Sequence, residues 1–309
     1  MKLSTKGDIM LIIAALIGGM GFIGMKFLLD FGYGTLSIIA GRFWVSAILL
    51  IMLYFKKLTN ERFTKNELKA GALMGVLLFG LFFMFTTGLK YTTPAVNAFL
   101  SNCHSVFVPF AAWLIIRRRP DKYAFISAFM TVIGVWLLSM NDKMEFNLGA
   151  ALSLMASVSF AFQVIATDRF ARMFDPVKLT IIENLTVAVL ALIWAVVAGS
   201  GAPLPDINAV LVFLGIGIGC TAIYFLLQTT AQMYTSATNT AVILSFEAVI
   251  TAIASAIIFD EIMSVKMYIG CVILFLAIIV AETKLEFLLY NNEIVYLNEF
   301  YNWRELNEK

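Results

Sequence analysis

Ten stretches of this chain are apolar and long enough to cross a bilayer, and nothing else in it restricts the fold as much. They run at about 8–29, 35–55, 68–89, 93–116, 122–140, 148–168, 178–198, 208–231, 237–259 and 265–283. A helix needs roughly 20 apolar residues to cross ~30 Å of hydrocarbon, and in that region every backbone N–H and C=O must be satisfied within the chain. The expected fold is therefore an all-α integral membrane protein with ten transmembrane helices. Composition agrees: 61% of the 309 residues are hydrophobic and 14% are charged, against roughly 25% charged in soluble domains. That leaves no stretch for a soluble catalytic domain.

The first run follows Lys2 and Lys6, as a secretory leader would. Its full spanning length argues for a retained helix. So does a weaker partner at 149–171, where Gly7 aligns with Gly149 and Ala14 with Ala156.

The chain repeats itself. Tyr91-Thr92-Thr93 reappears as Tyr234-Thr235-Ser236, and a shift of 143 also places Ala98 on Ala241, Val106 on Val249, Ala111 on Ala254 and Ile115 on Ile258. Earlier in the chain the shift is 142. Five spans per half is an odd number, so the second half must enter the membrane in the opposite sense. The expectation is two inverted five-helix repeats, 1–140 and 141–283, with a substrate site near midplane between them. The tail at 284–309 has no counterpart. It is expected to be a cytoplasmic amphipathic helix or a non-native appendage, and it is given no transport role.

Lysine and arginine set the orientation. With the N-terminus inside, the inner segments hold Lys2, Lys6, Lys56, Lys57, Arg62, Lys65, Lys69, Arg117, Arg118, Arg119, Lys122, Arg169, Arg172, Lys178, Lys284, Arg304 and Lys309. The outer segments hold only Lys26, Lys90, Lys143 and Lys266. Both termini are expected on the cytoplasmic side.

The segments LKYTTPAVNAFL and AQMYTSATNTAVIL open the fourth and ninth spans, Arg42 lies in AGRFWVSAILL, and Gly134 and Gly270 fall in the fifth and tenth spans. In these features, and across about residues 7–283, the chain resembles the EamA-type drug/metabolite transporter superfamily. The resemblance implies export or exchange of small metabolites, commonly amino acids or related compounds, by alternating access. That family often carries an acid at the end of each fourth helix. Asp260-Glu261 keep it in the second half, whereas Arg117-Arg118-Arg119 replace it in the first and read as an inner-face anchor.

Ionisable residues inside spans cost roughly 2.5–3.5 kcal/mol on insertion scales and are functional candidates for that reason. Glu247 lies about ten residues into the ninth span, or ~15 Å at 1.5 Å per residue, near midplane. His104, the sole histidine, occupies the matching position in the fourth span, so the two are expected to face one cavity and to bind substrate or a proton. Arg42 is the candidate for a substrate carboxylate and Glu247 for an ammonium, a polarity that suits a zwitterion. Asn97 and Gln163 are expected to add polar contacts, and Phe99, Tyr224, Phe246 and Glu183 to line the cavity. Glu183 also reads as near enough to Lys178 to reach the cytoplasmic interface.

The cysteines Cys103, Cys220 and Cys271 sit singly in apolar runs, which indicates neither a disulfide framework nor a metal site. One histidine, no HExxH and no GxSxG argue against an intramembrane enzyme. The glycine runs at Gly18–Gly24 and Gly215–Gly219 lack a phosphate-binding motif, so no cofactor is expected. The expected partners are a small-molecule substrate, membrane lipid and protons, with no nucleic acid, for a monomer or homodimer in a prokaryotic cytoplasmic membrane. Alternative readings are a multidrug or organic-cation exporter and, more remotely, a channel or membrane scaffold.

Overall fold

A computed structural model describes residues 3–117, 119–139, 147–199, 206–261 and 263–283; the 284–309 tail lies outside them. The described residues are helical and contain no strand. In order they form α1 (Leu3–Asp30), α2 (Thr35–Leu53), α3 (Phe55–Asn60), α4 (Lys65–Gly88), α5 (Pro94–Ser101), α6 (His104–Ile116), α7 (Lys122–Ser139), α8 (Leu148–Ala171), α9 (Pro176–Val197), α10 (Ile207–Gly217), a π-helical turn at Ile218–Ile223, α11 (Tyr224–Ala231), α12 (Ala237–Ile258) and α13 (Val265–Thr283). Counting α5 with α6, and α10 with α11, eight spans are long and apolar enough to cross a membrane; two shorter apolar helices, Lys122–Leu138 and Val265–Val280, make up the ten.

The repeated Tyr-Thr-Thr/Ser motif has a local structural job. Thr93 and Ser236, its last residues, are the N-caps of α5 and α12, and their hydroxyls accept from the Val96 and Asn239 N–H groups. An N-cap satisfies one of the helix-end donors that lipid cannot. Thr64 and Glu67 form a reciprocal capping box at the start of α4, and Asp175 accepts from the Val177 and Lys178 N–H groups at the start of α9. The far ends match as well. Arg117 after α6 and Asp260 after α12, again 143 apart, both adopt the left-handed conformation, with φ of 59° and 50°.

Packing is symmetric under exchange of the halves. α1 packs on α12 as α8 packs on α5 and α6, and α1 meets α10 and α11 as α8 meets α4. α2 meets α10 as α9 meets α4, while the pairs α2–α9, α7–α13 and α5/α6–α12 map onto themselves. Small residues let backbones close up where side chains would keep them apart. A Cβ on Gly134 would lie 2.6 Å from Leu274, and one on Gly270 would lie 3.0 Å from Leu137, so these two glycines hold α7 against α13. The segments counted as inner also meet at one end of the bundle. There Lys57 pairs with Asp175 at 2.5 Å, Lys178 with Glu61 at 3.1 Å, and Arg172 donates to the Thr235 carbonyl at 2.7 Å.

Two spans depart from the expected continuous helices. The fourth breaks at Asn102–Cys103, where Asn102, Cys103 and Ser105 side chains donate to the carbonyls of Ala98, Phe99 and Asn102. Such bonds compete with the helical ladder. Pro109 inside α6 weakens it further, because proline lacks the N–H and crowds the carbonyl four residues back. The eighth span contains the π turn, with Thr221 donating to the Ile216 carbonyl at 2.8 Å.

Candidate functional site

The cavity at the centre of the bundle lies among α1, α2, α4, α5, α8, α11 and α12. Its lining includes Gly18, Gly21, Arg42, Tyr224 and Glu247, ringed by Phe22, Phe82, Phe85, Phe160 and Phe225. Arg42 and Glu247 therefore share one pocket. Glycine on α1 makes this possible. A Cβ on Gly18 would lie 2.8 Å from the Glu247 Cδ and 2.7 Å from the Tyr224 ring, and one on Gly21, a turn later, would lie 4.0 Å from an Arg42 Nη2.

Arg42 is 2% exposed. Its Nε donates to Thr221 Oγ1 at 2.9 Å, Nη1 to the Met25 sulfur at 3.0 Å and Nη2 to the Cys220 carbonyl at 2.8 Å. Two of these acceptors, Thr221 and the Cys220 carbonyl, lie in the π turn. Its wider i→i+5 pattern disturbs the carbonyl ladder locally, and the Cys220 carbonyl points to the guanidinium. The guanidinium also lies over the Phe82 ring, 4.6 Å from its centroid, a favourable cation–π placement. Three of the five N–H donors are thus engaged, one of them by a weak sulfur acceptor. No carboxylate among the described residues lies within ion-pair distance of Arg42.

Glu247 is 5% exposed, and its Oε1 accepts from the Tyr224 hydroxyl at 2.7 Å. It too lacks a cationic partner among the described residues. The pocket therefore holds two charge-bearing groups of opposite sign, neither neutralised by the other. Ser101 Oγ and Asn102 Oδ1 have no partner among the described residues and belong to cavity-lining residues. The cavity volume is about 50 Å³, room for roughly four water molecules, so a larger guest requires the helices to part.

The other expected residues fall in different places. Tyr224 lines the cavity and links α11 to Glu247. His104 does not line it; the ring is fully buried one layer back, 4.3 Å from the Phe160 ring, with Nδ1 3.4 Å from the Ser101 carbonyl and Nε2 without a partner. The break before α6 has turned it away from the position that Glu247 holds on an unbroken helix. Asn97 donates to Ser153 Oγ at 2.7 Å and to the Phe85 carbonyl, tying α5 to α8 and α4 outside the cavity. Gln163 bonds Glu183 at 2.8 Å, and Glu183 is fully buried in the bundle. Phe99 lies in the packed core. Phe246 corrects the expectation outright: it is 48% exposed on the outer surface, against Phe275, because it stands 100° round the helix from the inward-facing Glu247.

Ser101, Met25, Thr221 and Cys220 were not singled out as site residues from sequence. Only Ser101 and Asn102 carried a readable signal, in the polar run from 101 to 105 within an apolar span.

The sequence profile of the EamA-like transporter family matches residues 5–140 and again 147–283. The chain belongs to the EamA-like transporter family. It is also similar to a protein of Archaeoglobus fulgidus named an uncharacterized transporter, 25% identical over 282 residues that cover 90% of this chain and 86% of that one. A second uncharacterized transporter, from Clostridium kluyveri, is 24% identical over 253 residues, covering 77% and 80% respectively. A solved crystal structure superposes with a TM-score of 0.68 over 93% of this chain and 99% of its own, at 18% identity, a likeness that speaks to fold alone. This EamA-like protein is thus a multi-pass membrane transporter.

Proposed function

We propose that this transporter moves a small zwitterion, an amino acid or related compound, by export or exchange. The observation that carries the reading is the shared pocket: Arg42 and Glu247 stand on one small cavity without neutralising each other. A substrate carboxylate takes the free guanidinium donors in a charge-assisted, planar contact, and the ammonium meets Glu247. The phenylalanine ring around them fits the apolar body. The exchange symmetry of the halves supports alternating access, in which rocking one against the other opens the pocket first to one side and then to the other. The working orientation has both termini inside, in a prokaryotic cytoplasmic membrane.

A second reading has a specific observation in its favour. Arg42 is braced by Thr221, Met25 and the Cys220 carbonyl, and aromatic rings surround Glu247, which would also suit an organic cation alone. Counterflow in proteoliposomes separates the two. Zwitterion transport predicts saturable exchange of a radiolabelled amino acid that is lost in Arg42→Gln and in Glu247→Gln. Exchange of tetraphenylphosphonium, retained in Arg42→Gln, with no amino-acid exchange by the unmodified protein, would favour the cation exporter.

A further inference from the structure

A second buried polar cluster lies outside the central cavity, on the half of the bundle where α9 begins. Glu183 is fully buried, and its Oε1 accepts from Gln163 Nε2 at 2.8 Å. The same nitrogen reaches Thr167 Oγ1 at 3.0 Å, and Gln228 Nε2 donates to Gln163 Oε1 at 3.3 Å. Two acceptors are left over, Glu183 Oε2 and Gln228 Oε1. Among the described residues, no donor reaches the second oxygen of the Glu183 carboxylate.

The duplication gives this cluster a meaning. A shift of 142 places Gln163 on Gly21, Thr167 on Met25, Gln228 on Thr86, and Asn184, the neighbour of Glu183, on Arg42. In the first half Arg42 and Thr86 both contact the Met25 sulfur; in the second half Glu183, Gln163, Thr167 and Gln228 form the matching set. The backbones agree, for a Cβ on Gly217 would meet the Arg42 carbonyl at 3.0 Å and one on Gly75 the Glu183 carbonyl at 2.8 Å. Arg42 and Glu183 each stand seven residues past the first residue of their helix, Thr35 and Pro176. In inverted halves those positions lie on opposite sides of midplane. The position matching Arg42 is Asn184, and the acid Glu183 stands immediately beside it.

No charged group among the described residues pairs with Glu183. On α8 the nearest titratable residue in sequence, Asp168, is paired with Arg172. On α4 Glu67 faces Lys178, which pairs with Glu61 as well. On α2 Arg42 is engaged by Thr221, Met25 and Cys220, and on α11 Tyr224 donates to Glu247. A carboxylate buried this way is costly unless it is neutralised. With no cation in contact and an oxygen lacking a hydrogen, a proton is the ligand that fits.

We propose that Glu183 is a proton-binding site, separate from the central cavity, through which transport is coupled to protons. Water that reaches the site in one orientation of the halves gives a proton to Oε2; the O–H bond is kept while the site is closed, and the proton returns to water when rocking opens the site to the other side. The proposal rests on the transporter assignment but not on the zwitterion reading, so either can fail alone.

Infrared difference spectroscopy on the purified full-length protein, acid minus alkaline, tests it. The expected result is a protonated-carboxyl carbonyl band that disappears in Glu183→Gln and persists in Glu247→Gln. Gln163→Leu, which keeps the acid but removes its hydrogen-bond donor, should shift that band to higher wavenumber. Should Glu183→Gln fail to fold, the Gln163→Leu shift carries the test alone. A band unaffected by either substitution overturns the proposal. So does a band that sodium chloride removes at fixed pH while choline chloride does not, since the site would then take a metal cation.

Discussion

Gly18→Ala is the smallest change that should disable the site. The added methyl would sit 2.7 Å from the Tyr224 ring, 2.8 Å from Glu247 Cδ and 2.9 Å from Glu247 Oε1, each well inside van der Waals contact. Neither neighbour can give way without cost, because Tyr224 and Glu247 are buried and bonded to each other at 2.7 Å. Overpacking of this kind costs about 1–3 kcal/mol, and breaking the buried hydrogen bond about 1–3 kcal/mol more. Even the low end of the sum, about 2 kcal/mol, corresponds to roughly a 30-fold weaker affinity if it falls on the loaded state. Gly215 provides the control, since a Cβ there meets nothing within 4 Å. Alanine should be better than glycine in that helix by about 0.5–1 kcal/mol. The assay is thermal unfolding in detergent together with amino-acid counterflow in proteoliposomes. Gly18→Ala should lower both, and Gly215→Ala should lower neither. A Gly18→Ala protein as stable and active as its parent would refute the reasoning about α1 and Glu247.

Other consequences follow from the ends of the helices. Thr93→Ala and Ser236→Ala should each cost about 1 kcal/mol in thermal unfolding, and similar losses at the two sites would reflect their equivalent capping roles. At the inner face, burial tends to raise the Asp175 carboxyl, but hydrogen bonds from Lys57 and from the Lys178 and Val177 N–H groups outweigh it and hold the group below its usual value of 3.8. The hydrogen bond to Asp175 raises Lys57 in turn. A depressed acid contributes stability above its unfolded value and loses it as pH falls through the folded value. Acid melting curves should therefore show a loss below about pH 4 that Asp175→Asn removes. With Lys57 about a third exposed, that contribution should not exceed about 1 kcal/mol.

The spans, the inversion and the two charges were legible because each leaves a one-dimensional mark: an apolar run, an odd number of spans per repeat, an ionisable residue where lipid disfavours one. Thr93 and Ser236 were visible as a motif, though their capping role needs the backbone. What escaped depends on helix phase or on distant contacts. Hydropathy averages over the break at Asn102–Cys103, although the polar run up to Ser105 and Pro109 were there to be read. The π turn's bond to a guanidinium 178 positions away in sequence leaves no mark in hydropathy. Shift alone put His104 opposite Glu247, but a broken helix does not keep the phase of a continuous one. Phe246 missed the cavity by one residue of rotation. Glu183 was placed by its distance from Lys178, whereas the burial of that end by α4 and α8 decides its surroundings.

The most direct test of the shared Arg42–Glu247 pocket is ligand-induced thermal stabilisation of the purified protein. The panel would hold amino acids, the matching carboxylates lacking the amine and the matching amines lacking the carboxylate. Ligand that binds the folded state raises its stability, by about 2.7 kcal/mol at a hundred times Kd. The account predicts that amino acids stabilise the unmodified protein, that the single-charge analogues do so far less, and that Arg42→Gln and Glu247→Gln each abolish the response. Stabilisation by amines alone, unchanged in Arg42→Gln, would contradict it.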